Sequence, residues 1–153
     1  MINHLINNSM NSKIKIYLRW IFLLPLAILF AILMDFPLHY ILYSVLSGGE
    51  NPFITPYPES PELILAPFFR AFVFVLTGTF IAPNNNIIVG KIFSFIWVFS
   101  ATVGVYILYY ISKTKTEYNI NFEFTTVDFF AISSGVIGAI LPLIIYYKNI
   151  QKE

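Results

Sequence analysis

Between Asp128 and Lys148 the chain reads FFAISSGVIGAILPLIIYY, residues 129–147, nineteen positions without a charge. As a helix such a run covers roughly 28 Å at 1.5 Å per residue, close to the ~30 Å hydrocarbon thickness of a bilayer. It is too long for a strand, and irregular backbone facing lipid would leave its peptide groups without hydrogen-bond partners. This segment is therefore a membrane-spanning helix. Three further apolar runs lie upstream, at about residues 17–43, 63–82 and 88–111.

Four such segments in 153 residues cannot all be buried in a soluble domain of this size. Hydrophobic residues make up 58% of the chain and charged residues 11%, against about 25% charged in soluble domains. Mean hydropathy is +0.74. The expected fold is an all-α transmembrane four-helix bundle forming one domain over residues 16–148. A disordered, Asn-rich tail is expected over residues 1–15, where Met10 could head a shorter chain, and a short cytoplasmic tail over 149–153.

The net charge of +1 and the absence of a dense basic run give no pull toward nucleic acid. With no cysteine there is no disulfide, thiolate metal site, iron–sulfur cluster or nucleophilic thiol. The first span follows Lys13, Lys15 and Arg19, as a signal peptide would. The sequence after it is Leu33-Met34-Asp35-Phe36-Pro37, however, with no small-residue cleavage site, so an uncleaved span is expected.

Lysine and arginine near the spans set the expected orientation. With the N-terminus inside, Lys13, Lys15, Arg19, Lys91, Lys148 and Lys152 fall on the inner side, and only Lys113 and Lys115 on the outer. Both termini are then cytoplasmic. In the first outer loop, Ser47-Gly48-Gly49 would end a helix, and Pro52, Pro56, Pro58 and Pro61 would hold a semi-rigid cap; a ligand lid is the sharper alternative. In the second, alternation of Ile120, Phe122 and Phe124 fits a short strand or, preferably, a segment lying on the interface.

Ionisable residues inside spans mark the candidate site. Arg70 lies nine residues past Pro61, hence roughly 13 Å into the membrane. An unpaired arginine at that depth costs about 2.5–3.5 kcal/mol. Asp35, in the outer third of the first span, is its natural partner across a tight hairpin. An ion pair that sets helix register is the first reading, and a functional charge the second. His39 falls on the Asp35 face, four residues on, with Pro37 between them. That pair could pass protons, but a ring wetted at the outer boundary is the simpler expectation. Two histidines are too few for a metal site, and no cofactor is expected.

Small residues recur at four-residue spacing in Ala131, Gly135 and Ala139, in Ser134 and Gly138, and in Ser100 and Gly104. This spacing lets helix backbones approach closely, within one bundle or across a homo-oligomer. Ser133 and Ser134 have no base near them in sequence, and the chain lacks a phosphate-binding loop, an HExxH pair and a Gly-x-Ser-x-Gly elbow. No inverted repeat marks a complete transporter.

The stretch GTFIAPNNNIIVGKIF, residues 78–93, with Leu18-Arg19-Trp20 and Pro25 in the first span, resembles small uncharacterised bacterial inner-membrane proteins of four spans. The resemblance implies a bacterial cytoplasmic membrane and no particular activity. Without it, Pro83 stops the second helix, Asn84 to Asn86 make the bend and Lys91 reaches headgroups. The expected function is that of a non-enzymatic accessory or structural component. Its partners would be the lipid bilayer and a homo-oligomer or other membrane proteins. The alternative is an oligomeric transporter or channel subunit with a polar site at Asp35, His39 and Arg70.

Overall fold

The computed structural model describes residues 2–46, 59–83, 86–113 and 125–150. They form five helical segments: α1 (Ile2–Leu33), α2 (Asp35–Leu46), α3 (Ser60–Ile81), α4 (Asn86–Lys113) and α5 (Thr126–Ile150). Four helices are long and apolar enough to cross a membrane, over Lys13–Leu46, Ser60–Ile81, Asn86–Ile111 and Thr126–Lys148. The molecule is an all-α bundle of four candidate spans. The loop expectations over residues 47–58 and 114–124, and the tail after Ile150, lie outside the described residues.

The first span is not one unbroken helix. Met34 separates α1 from α2, although Met34 N still donates to Phe30 O (3.1 Å) and Leu38 N to Met34 O (3.3 Å). Pro37 is the cause: it has no N–H for the carbonyl of Leu33, so the ladder skips one rung and restarts at Asp35. In the restarted helix Pro37 sits in the first turn, where no intrahelical donor is needed, and Asp35 meets the positive end of the helix dipole.

The N-terminal segment also departs from expectation. Residues 2–15, expected as a disordered tail, continue α1 upstream. No proline or glycine occurs before Pro25, so a helix nucleated in the apolar span can propagate backward one bond per residue.

Element pairings fix the topology. Ser134 and Gly138 of α5 meet Ile64 and Phe68 of α3 in the same order, so these two helices run parallel. Phe74 and Thr79 of α3 meet Phe93 and Gly90 of α4 in reverse order, as α1–α2 does with α3 at Asp35–Arg70 and His39–Glu62. The chain therefore threads up and down, with α3 touching every other helix and α5 its most extensive neighbour. Among the described residues, α1 and α2 pack on α3 and on one another, but not on α4 or α5.

In lipid, apolar burial supplies little drive for helix association; close packing and interhelical hydrogen bonds supply it instead. The core reflects that. Ala27 and Ala31 of α1 are buried with Ala71, Phe74 and Val75 of α3, and Phe74 stacks toward Phe93 and Trp97 at ring separations of 4.8 and 5.6 Å. Gly78 gives way to the Phe93 ring, where an added Cβ would lie 2.6 Å from Cδ1. Gly90 admits Leu143, whose Cδ2 would be 2.7 Å from such a Cβ.

Candidate functional site

At the end of the bundle where α2 meets the start of α3, four ionisable side chains converge. Asp35 and His39 are one turn apart on α2, while Glu62 and Arg70 are two turns apart on α3. Arg70 donates its Nε–H to Asp35 Oδ1 at 2.6 Å. His39 Nδ1 lies 3.0 and 3.1 Å from the two Glu62 carboxylate oxygens. Four residues rise about 6 Å and eight about 12 Å, so the long Arg70 side chain must take up roughly 6 Å of mismatch. Helical side chains lean toward their own N-terminus. On antiparallel helices that tilts Arg70 toward Asp35 and Asp35 toward Arg70, which closes the gap.

The site is on the flank of the molecule and not in its centre. The Arg70 and Asp35 side chains are 45% and 33% exposed, those of His39 and Glu62 52% and 25%. His39, Glu62, Arg70 and Glu59 line a groove of about 410 Å³ whose floor is Leu63, Ala66 and Pro67. Inward of it lies the apolar core at Ala71, Phe74 and Val75; among the described residues no acidic or basic side chain is buried, and the buried polar ones are Thr79, Ser94 and the Tyr43 hydroxyl. No three His, Asp or Glu side chains among the described residues group in a way that could hold a metal.

The three residues singled out from the sequence are thus placed together, with one addition. That addition is Glu62, which stands beside Pro61 at the helix start, where an acid ordinarily complements the dipole. Its spacing to Ala66 and Arg70, every four residues, is the signal that could have found it. His39 faces this carboxylate as well as the exterior.

The small-residue positions divide. On α5, Gly138 lies directly against the Phe68 peptide, so that a Cβ there would clash with the Phe68 carbonyl oxygen. Gly135 faces Pro67 and Trp97, where a Cβ would sit 3.4 Å from each. Ala139 is fully buried. The Ser134 hydroxyl is shared between its own helix, at Ala131 O (2.8 Å), and Ile64 O across the interface. Ser133 donates to Phe129 O at 2.9 Å. This stripe serves α3–α5 contact inside one chain. On α4, by contrast, Ser100 is exposed and Gly104 has no heavy atom within 4 Å of where its Cβ would be. Both border an apolar groove of about 390 Å³ between α4 and α5.

Helix α5 begins with a reciprocal cap: Thr125 N and Oγ1 donate to Asp128 Oδ2 at 2.8 and 2.7 Å, and Asp128 N donates to Thr125 Oγ1 at 3.3 Å. No family model, curated protein or solved structure matches this chain.

Proposed function

We propose that this chain is a non-enzymatic accessory or structural component of a bacterial cytoplasmic membrane, with both termini in the cytoplasm. It acts through helix contacts with a second copy or another membrane protein. The observation that carries the reading is the Asp35–Arg70 pair on the bundle's flank, with Arg70 45% exposed inside a candidate span. A charge pair half open to hydrocarbon is costly until a polar surface covers it, and a partner helix supplies such a surface. The sides of α1 and α2 turned away from α3 leave room for that helix. The hydroxyls of Ser133 and Ser134 are engaged by main-chain carbonyls, which also favours a non-enzymatic role. Lys13, Lys15, Arg19, Lys91 and Lys148 fall at the same end of the antiparallel array, which supports a cytoplasmic placement of that end.

Photo-crosslinking residues at Phe36 and Tyr40, each 70% exposed beside the pair, test this in native membranes. One defined protein adduct is expected. Adducts with lipid alone would overturn it.

The groove at His39, Glu62 and Arg70 favours a second reading, an oligomeric transporter or channel subunit with Asp35, His39 and Arg70 in the polar site. Because the core inward of Arg70 is apolar, its route would run between subunits. Ion flux in liposomes that disappears in Asp35→Asn would select this reading over the first.

A further inference from the structure

At the opposite end from the Asp35–Arg70 pair, a second groove of about 410 Å³ runs between the start of α4 and the end of α5. Ile87 and Lys91 form one wall, and Leu143, Ile144, Tyr147 and Lys148 the other. Lys91 is the sixth residue of α4, and Lys148 stands two residues before the end of α5. Both are exposed, and neither has a carboxylate within ion-pair distance among the described residues. The described acids, Asp35, Glu59, Glu62 and Asp128, are all at the other end. Two ammonium groups on separate helices, without a carboxylate partner among the described residues, therefore flank a groove whose floor is aliphatic and which opens to the exterior within two candidate spans. Lysine stems can lie along such a floor while the charges turn toward the interface.

We infer that this groove binds an anionic phospholipid, with its phosphate headgroup between Lys91 and Lys148 and an acyl chain along Leu143 and Ile144. A free phosphate would use the two charges and leave the aliphatic floor uncovered; a lipid satisfies both. Basic pockets between spanning helices are a recurrent headgroup geometry.

Each lysine near an anionic headgroup adds roughly five-fold in affinity, so the pair predicts about 25-fold preference for phosphatidylglycerol over phosphatidylcholine. Native mass spectrometry of the full chain in detergent, with the two lipids in competition, measures it. One retained phosphatidylglycerol per chain is expected. Lys91→Gln with Lys148→Gln should abolish the preference. Lys13→Gln with Lys15→Gln, which removes equal charge at the same end from a helix that does not pack on α4 or α5, should keep it. Equal retention of both lipids by the unmodified chain would overturn the inference, as would an unchanged preference in the first variant or an equal loss in the second. Displacement by millimolar inorganic phosphate would overturn the lipid as occupant. Should the first variant fail to fold, competition in the unmodified chain decides alone.

Discussion

Arg70 donates to Asp35 at 2.6 Å where the first span restarts after its Met34 break, so one charge pair ties α3 to the residue that opens α2. In water a pair this exposed would contribute about 1 kcal/mol or less. Within a span the relevant comparison is an unpaired charge in hydrocarbon, which costs about 2.5–3.5 kcal/mol. Asp35→Ala and Arg70→Ala are each expected to lose about 2–3 kcal/mol on that scale, measured by denaturant unfolding in mixed micelles. The exchanged pair, Asp35→Arg with Arg70→Asp, should regain at least half. An exchange no better than either single change would show that the charges act separately.

Gly138 and Gly104 have opposite surroundings, and their substitutions should separate accordingly. Gly138→Val meets the Phe68 backbone, which cannot rotate aside, so a loss near the upper end of the ~1–3 kcal/mol range for overpacking is expected. Gly104→Val enters open space and should stay within about 0.5 kcal/mol of the parent. Similar losses at both sites, read by the same unfolding assay, would contradict the α3–α5 register.

Ser134 and Ser133 are neighbours with different reach. Ser134→Ala removes a hydroxyl bonded across to Ile64 O and should cost about 0.6 kcal/mol, at most ~1.7, as interhelical bonds in membranes do. Ser133→Ala removes only a bond to Phe129 O within α5 and should be close to neutral. A larger loss at Ser133 would show that the assigned helix face is wrong.

The reciprocal cap of Thr125 and Asp128 should hold the first turn of α5. Thr125→Ala is expected to cost about 1 kcal/mol, with Thr125→Ser retaining most of it. Hydrogen exchange at the amides of Phe129 and Phe130 should quicken in the alanine variant and not in the serine variant. Unchanged exchange in both would mean that the turn is held by something else.

Much of the architecture is legible in one dimension because hydrocarbon imposes a single length and a single polarity on each span. Residues 129–147 and their flanking charges delimit α5 to within three residues at either end. Depth along each helix is enough to suggest Asp35 and Arg70 as partners. What depth cannot supply is rotation about the helix axis. The four-residue stripes at Ala131–Ala139 and Ser100–Gly104 look alike in sequence, yet the first packs on α3 at Gly135 and Gly138 while the second borders an open groove. The partnership of Glu62 with His39 depends on hairpin register, a property of two helices together and not of either sequence alone. Gly78 and Gly90 are isolated glycines whose role emerges only when Phe93 and Leu143 arrive from other helices. The upstream extension of α1 was obscured by asparagines, whose modest helix propensity is outweighed once a neighbouring span has nucleated.

Among the described residues α1 and α2 pack on α3 and not on the last two helices, so the partner of the first span is synthesised before the second half exists. Asp35 leaves the ribosome 35 residues ahead of Arg70, so the acid is already at membrane depth when the base arrives. A nascent chain whose residues through Ile81 have cleared the ribosome should therefore already hold its ion pair, before the later helices dock on α3.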